Sequence, residues 1–187
     1  VQDGMSVTVK KYNATFAWEK YEVPKGVKVR YEVMVDGIVQ RKLVSGTKFT
    51  LKNASIGEHT FAVRALLSKK GSADTWSDWS STISQYVSDV TRPKTGKLSL
   101  VQTGEDSLRV SWTPGTDNMG VVRYVVTCGE ETREVDASRL SAEFASTAGR
   151  VTATVTAYDA AGLAGKTVKK SLTMKDMTAP SQVTGLR

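Results

Sequence analysis

An internal repeat constrains the fold of this chain more than any other feature of its sequence. The segment DVTRP at 89–93 recurs as DMTAP at 176–180, 87 residues later. Two further matches occur in the same order, with the first member of each before DVTRP and the second between DVTRP and DMTAP: FAW at 16–18 with VSW at 110–112, and VRYEVMVDG at 29–37 with VRYVVTCGE at 122–130. We therefore expect two copies of one module, over 1–91 and 92–178. At 179–187 we expect a linker and the first strand of a truncated third module.

Within each copy, apolar residues alternate with polar ones, as at Val29, Tyr31 and Val33. A period of two is typical of strands with one buried face. Gly, Pro, Asn and Asp interrupt the pattern at intervals of about 8–12 residues. The stretch at 137–149 has local helical features, but its repeat partner at 45–57 alternates, so we predict a strand there. The sequence predicts an all-β chain with two antiparallel sandwiches of seven strands each.

The landmarks of each copy carry a resemblance to a known family. An early-strand Trp, a Tyr-x-Val strand after it and a Thr-x-Pro opening resemble tandem fibronectin type III modules, which have an immunoglobulin-like fold. SWTPGTDNMG at 111–120 and AYDAAGLAG at 157–165 are most similar to the modules found in bacterial secreted or cell-surface multidomain proteins. The family usually has a Tyr at the start of the late strand, where this chain has Phe61 and Ala153. We therefore expect the hydrogen bond of that Tyr hydroxyl to be absent.

Charge and cysteine content exclude several functions. The net charge of +7 is spread evenly, with 13 basic and 9 acidic residues in 1–91 and 13 and 10 in 92–187. No basic cluster reaches the density of a nucleic-acid-binding patch, so we expect no nucleic-acid partner. No apolar run approaches the roughly 20 residues of a membrane span. The single cysteine, Cys128, excludes an internal disulfide and a structural zinc site.

The chain lacks the motifs of an enzyme. The single histidine, His59, lies in the turn GEHTF, where a structural role is the simplest reading. The alternation through Tyr124 and Val126 places Cys128 on the core face, which favours a buried small side chain over a reactive thiol. No phosphate-binding glycine loop and no nucleophile elbow is present. We expect no catalytic activity and no cofactor.

Two aspartates lie in turn sequences of the second copy. Asp117 in TDNMG and Asp159 in YDAAG are placed where an Asp side chain caps its own backbone. A calcium site is the alternative, but it requires several oxygen ligands, and neither loop supplies them alone. We therefore predict caps and no metal site.

The segment WSDWS at 76–80 places two indoles among polar residues. It resembles the W-S-x-W-S box of class I cytokine receptors, but the paired cysteines of those receptors are missing here. The alternation that turns Phe61, Val63 and Ala65 inward turns Arg64 outward, and Arg30 is outward on the neighbouring strand. Guanidinium groups over indole faces contribute about 0.5–1 kcal/mol each at exposed sites. The candidate site is therefore an aromatic–cation cluster of Trp76, Trp79, Arg64 and Arg30, either a structural clasp or a ligand platform.

The functional expectation follows from the repeat and the resemblance. Two rigid modules joined by DVTRP, in which Pro93 restricts the backbone, suggest a non-catalytic spacer or presentation scaffold. The expected location is extracellular, and the expected partners are neighbouring domains of a larger bacterial protein. The alternatives are an adhesin or carbohydrate-binding module that uses Trp76 and Trp79 on a protein or glycan ligand, and a phage tail-fibre or tip segment.

Overall fold

The computed structural model describes residues 4–147 and 149–178, so the expected third module at 179–187 lies outside the described residues. The chain divides into two compact units, Val1–Asp89 and Val90–Arg187. Every element of regular secondary structure in the described residues is a β-strand, and the strands pair antiparallel. Within residues 4–147 and 149–178, no helix is found that could span a membrane.

Unit 1 consists of two antiparallel sheets. Its strands are β1 (Ser6–Lys10), β2 (Asn13–Ala17), β3 (Val27–Val35), β4 (Ile38–Val39), β5 (Lys48–Leu51), β6 (Gly57–Lys69), β7 (Thr75–Trp76) and β8 (Ile83–Val87). One sheet has the order β1-β2-β5, and the other has the order β4-β3-β6-β7, with β8 also paired to β6. The inward-facing side chains of both sheets form one core, which includes Phe16, Trp18, Tyr31, Val33, Phe61 and Val63.

Unit 2 repeats this arrangement. Its strands are β9 (Leu98–Gly104), β10 (Ser107–Trp112), β11 (Val121–Cys128), β12 (Glu131–Asp136), β13 (Ser141–Ala145), β14 (Gly149–Asp159) and β15 (Val168–Met174). The sheet orders are β13-β10-β9 and β12-β11-β14-β15. The prediction of consecutive antiparallel sandwiches of immunoglobulin-like topology is confirmed. The predicted seven strands are found in unit 2, whereas unit 1 has eight, because the two-residue β7 also pairs with β6. The predicted strand within 137–149 is also confirmed, since β13 lies there.

An aromatic pair lies at the centre of each core. In unit 1 the rings of Trp18 and Tyr31 meet edge to face, with centroids 5.3 Å apart and an interplanar angle of 66°. In unit 2, Trp112 and Tyr124 meet at 5.4 Å and 61°. All four side chains are buried, and this geometry is a preferred one for aromatic pairs. The repeated Trp and Tyr of the sequence are therefore the same core contact made twice.

The hydroxyl of each core Tyr also holds a loop. The amide of Tyr21 donates to the Tyr31 hydroxyl at 2.7 Å, and the amide of Gly115 donates to the Tyr124 hydroxyl at 2.8 Å. These loops follow the early Trp strand in their units. A buried Tyr on the β3 and β11 strands thus tethers a loop in a chain that lacks the usual late-strand Tyr.

Candidate functional site

The WSDWS segment runs along the outer edge of β6, between β7 and β8. The amide of Ala65 donates to the Ser77 hydroxyl at 2.9 Å, and the amide of Val63 donates to the Ser80 hydroxyl at 3.0 Å. The amides of Ser77 and Ser80 in turn donate to the carbonyls of Ala65 (2.9 Å) and Val63 (2.8 Å). The two serines therefore bind the backbone of β6 as a paired strand would, and the side chains between them turn outward.

Arg64 lies between the two indoles. Its guanidinium carbon is 4.3 Å from the ring centroid of Trp76 and 4.7 Å from that of Trp79. Its Nε and an Nη nitrogen also bind one carboxylate oxygen of Glu32, at 2.7 and 2.6 Å. Glu32 lies directly across the β3–β6 pair from Arg64. We call these four residues (Glu32, Arg64, Trp76 and Trp79) the Trp–Arg cluster.

The cluster differs from the predicted site at one position. The structure brings Arg64, Trp76 and Trp79 together, but the cation–aromatic contacts of the described residues do not include Arg30. Arg30 is exposed and lies across the strand pair from Leu66, which is aliphatic. Glu32, which charge-balances Arg64, was not predicted, although its position two residues after Arg30 places it on the same outer face.

The cluster is accessible from one side. The Trp76 side chain is 43% exposed, whereas Trp79 is half-buried. One indole therefore covers Arg64 while presenting a free edge to solvent, so the geometry is compatible with both the clasp and the platform.

His59 belongs to a second polar constellation, which joins two distant turns. Its Nδ1 lies 2.7 Å from Oδ2 of Asp36, and its Nε2 lies 2.9 Å from the backbone oxygen of Ser55. The Ser55 hydroxyl is 3.3 Å from the same Nε2. Asp36, His59 and Ser55 are the residue types of a catalytic triad, with the histidine between the other two.

The hydrogen bonds of His59 argue against that role. A carboxylate and a carbonyl only accept, so both contacts of His59 are satisfied when Nδ1 and Nε2 each carry a proton, which favours the imidazolium form. The hydrogen bond to Asp36 raises the pKa of His59, and the bond to the Ser55 carbonyl adds to the rise against the opposing effect of burial. A protonated Nε2 cannot take a proton from the Ser55 hydroxyl. The expected structural role of His59 therefore agrees with its contacts: it ties the Asp36 turn to the loop before β6.

Asp36 is the counterpart of this contact. Partial burial raises its pKa, but the amide of Thr60, at 2.7 Å from Oδ1, and the hydrogen bond and charge of His59 outweigh that effect, so the pKa lies below the usual 3.8. The carboxylate thus holds both a backbone amide and the imidazolium.

Cys128 lies on the core face, as predicted. It is 5% exposed and belongs to the core of unit 2. Burial raises the pKa of its thiol, and the nearby Glu131 raises it further. Both effects disfavour the thiolate, which is the reactive form.

The predicted caps of unit 2 are also confirmed. The amide of Met119 donates to Oδ2 of Asp117 at 2.7 Å, and the amide of Leu163 donates to Oδ1 of Asp159 at 2.8 Å. The structure adds that the two capping carboxylates lie close together, which neither loop reveals alone.

Comparison with known proteins gives structural likenesses only. No protein-family profile matches the sequence, and no curated protein matches it. A two-domain fibronectin type III segment of chicken tenascin is 16% identical, with a TM-score of 0.46, over 91% of this chain and 97% of that one.

Two other solved structures are similar to the same degree. The fibronectin(III)-like modules of Clostridium thermocellum CbhA are 12% identical, with a TM-score of 0.45, over 96% of this chain and 100% of that one. The FN1–FN3 domains of chicken CNTN1 are 13% identical, with a TM-score of 0.43, over 88% of this chain and 61% of that one. The neighbours are thus fibronectin type III domains, while the sandwich topology of this chain rests on its own strand order and core.

Proposed function

We propose that this chain is a non-catalytic scaffold that spaces or presents neighbouring domains of a larger extracellular bacterial protein. The observation that carries the proposal is the internal saturation of the Trp–Arg cluster. The Arg64 guanidinium is covered on two sides by indoles and bound by Glu32, so the charge of this arginine is satisfied within the protein itself. The cluster functions as a clasp that holds the WSDWS segment over the outer face of the sheet.

The chemistry of the other candidate residues supports the non-catalytic part of the proposal. Two acceptors favour the protonated form of His59, and Cys128 is buried with a raised thiol pKa. Both effects disfavour the protonation state that a general base or a nucleophile requires. We expect no hydrolysis of p-nitrophenyl acetate by the wild type beyond the rate of His59→Gln, and faster turnover by the wild type would contradict this part of the proposal.

A direct binding function is the second candidate, because Trp76 is 43% exposed. Exposed indoles are suited to stacking on sugar rings or on a partner's side chains. In this case Trp76 would be a contact residue, and the fold would serve only to orient it.

Three measurements on the same variants separate the candidates. We would compare wild type, Trp76→Phe and Trp79→Phe in acrylamide quenching, thermal unfolding and glycan-array binding. Tyr86→Phe is the matched control, because Tyr86 is 59% exposed on β8 of the same unit but lies outside the cluster.

The clasp predicts that both Trp variants lower the melting temperature while Tyr86→Phe does not, and that the wild type binds no glycan. An unchanged melting temperature together with glycan binding that Trp76→Phe abolishes would replace the scaffold with the binding function.

A further inference from the structure

Two carboxylates converge at one end of the β11–β14 strand pair in unit 2. Asp117 lies in the loop that leads into β11, and Asp159 is the last residue of β14. The first residue of β11, Val121, pairs with Asp159. The strand register thus brings the two loops together, and a carboxylate oxygen of Asp117 lies within 4.8 Å of one of Asp159.

Each carboxylate uses one oxygen in its cap and leaves the other without a partner. Oδ2 of Asp117 and Oδ1 of Asp159 accept the backbone amides of Met119 and Leu163. Oδ1 of Asp117 and Oδ2 of Asp159 are buried and accept no hydrogen bond. The Asp159 residue is only 2% exposed, so its second oxygen is withdrawn from bulk water.

No cationic side chain compensates this pair. The salt bridges of the described residues do not include Asp117 or Asp159. Arg92 and Lys94 line a cleft of about 240 Å³ beside Asp117 without forming an ion pair with it. Two neighbouring carboxylates, each with one buried oxygen that lacks a partner, are unfavourable without a counter-charge, because desolvation and mutual repulsion add. Such a pair calls for a bound positive charge.

The loop that carries Asp117 is held in place before any ligand binds. The amide of Gly115 is bound by the Tyr124 hydroxyl at 2.8 Å, and the backbones of Lys94 and Thr116 exchange two hydrogen bonds, at 2.8 and 3.0 Å. A side chain at position 115 would approach the Lys94 backbone oxygen to 2.8 Å, so glycine is needed for this close approach. Asp117 is thus positioned by a rigid loop.

We propose that Asp117 and Asp159 form a calcium-binding site in unit 2. Both donors are oxygens, which favours a hard cation over zinc. Two oxygens on one Ca²⁺ lie at most about 4.6–5.2 Å apart, twice the usual Ca–O distance, and the carboxylate oxygens of Asp117 and Asp159, within 4.8 Å of each other, are close enough for one ion to bridge. Water and backbone carbonyls would supply the remaining ligands, and Asp117 lies at the cleft described above. The site is independent of the Trp–Arg cluster and of the scaffold function.

The test is a calcium titration of the full chain after treatment with EDTA. Calorimetry gives the stoichiometry, and the NMR amide signals of Met119 and Leu163 report on the two carboxylates that they cap. The variants are Asp117→Asn and Asp159→Asn, in which an amide oxygen can still accept the capping hydrogen bond. Asp106→Asn is the matched control, because Asp106 is exposed in the turn between β9 and β10.

We expect one calcium per chain, with half-saturation at about 0.1–1 mM, the range of extracellular modules. Binding shifts the Met119 and Leu163 amides and raises the melting temperature of unit 2. Each Asn variant weakens binding at least tenfold, while Asp106→Asn leaves it unchanged. In EDTA the Asn variants unfold at or above the wild-type temperature, because the repulsion is removed.

Three results would overturn the proposal. One is the absence of heat and of amide shifts at about 10 mM calcium, tenfold above the weak end of that range, which would mean that the carboxylates bind no calcium. Another is calcium binding that both Asn variants retain. The third is Asn variants that lose the fold in EDTA, which would assign both aspartates to the caps alone.

Discussion

The replacement Ser80→Ala tests which part of the WSDWS segment holds it to the sheet. The Ser80 hydroxyl accepts the Val63 amide at 3.0 Å and donates to the Ser81 carbonyl at 2.8 Å. Val63 is 0% exposed and Ser80 is 8% exposed, so water does not readily replace the lost oxygen. Alanine keeps the backbone of the segment and both indoles but leaves the Val63 amide without this acceptor.

The magnitude follows from the burial of that amide. A buried donor left without a partner costs about 1–3 kcal/mol. For a domain of 60–100 residues, each kcal/mol lowers the melting temperature by about 4–8 °C. A loss of about 2 kcal/mol therefore predicts a decrease of about 8–16 °C for unit 1. The hydrogen bond from the Ser80 amide to the Val63 carbonyl remains, so the segment stays in place.

The assay combines thermal unfolding with hydrogen exchange at the Val63 amide. Ser77→Ala is expected to act similarly through the Ala65 amide. Ser84→Ala, at an exposed position on β8, is the matched control and should change the stability by less than about 0.5 kcal/mol. The reasoning is refuted if Ser80→Ala unfolds within 2 °C of the wild type, a change of about 0.5 kcal/mol or less, while the Val63 amide keeps its protection.

Three further predictions concern the other contacts of the cores and the cluster. Arg64→Lys removes a planar group that stacks on two indoles, so we expect a loss of about 1–2 kcal/mol in urea unfolding, from two cation–π contacts of about 0.5–1 kcal/mol each; a loss below about 0.3 kcal/mol would contradict it. Because the pKa of His59 is raised above its usual 6.5, its contact with Asp36 stabilises unit 1 fully below that pH, and the stabilisation is lost as the pH rises through the folded-state pKa. Urea midpoints from pH 5.5 to 8.5 should show this decline, which should vanish in His59→Gln. Tyr31→Phe and Tyr124→Phe each remove the acceptor of one loop amide and should cost about 0.5–1.5 kcal/mol in thermal unfolding; unequal effects would argue against the equivalence of the two tethers.

The strands and cores could be predicted because they depend on local alternation. In Val29-Arg30-Tyr31-Glu32-Val33 the side chains alternate between the core and the outer face, and burial follows the same order. The internal repeat then identified a strand that the local pattern of residues did not. The helix-like stretch at 137–149 was assigned correctly only because its partner at 45–57 alternates. Propensity alone is weak where a half-buried strand contains Ala, Ser and Leu.

The composition of the aromatic–cation cluster depended on register, which alternation does not determine. Arg64 and Arg30 both point outward, yet only Arg64 is stacked. The structure pairs Arg64 with Glu32, and Arg30 with Leu66. The face of a residue could be read from the sequence, whereas its cross-strand neighbour required the pairing of β3 with β6.

Two polar groupings, Asp36 with His59 and Asp117 with Asp159, could not be predicted from the sequence for a related reason. Asp36 and His59 are 23 residues apart, and each looks like an ordinary turn residue. Asp117 lies in a loop and Asp159 at the end of β14, and neither sequence segment alone supplies enough oxygen ligands for calcium. Contacts between loops depend on which strand ends meet, and this is a property of the topology. The proximity of Asp117 and Asp159 follows from the pairing of β11 with β14, which places both carboxylates at the same end of the strand pair.

The second unit shows what the WSDWS segment provides. Ala65 and Ala157 are equivalent, since each lies across the strand pair from its core Tyr. The outward amide of Ala65 is bound by the Ser77 hydroxyl, and that of Ala157 is bound by the Thr95 hydroxyl at 3.1 Å. Both units therefore meet the same requirement, a hydroxyl acceptor for a strand amide that no neighbouring strand binds.

Each unit also has a cation–aromatic contact on the outer face of its larger sheet, made by different residues. In unit 2 the guanidinium carbon of Arg123 lies 4.1 Å from the ring centroid of Tyr158. These residues are paired across β11 and β14, and they are equivalent to Arg30 and Leu66 of unit 1. Where the late strand offers an aromatic ring, the equivalent arginine stacks on it. In unit 1 the equivalent residue is Leu66, and there Arg64 stacks on the indoles of the WSDWS segment instead. A cation–aromatic contact on this face is thus a shared solution of the two sandwiches, which favours the clasp over the platform.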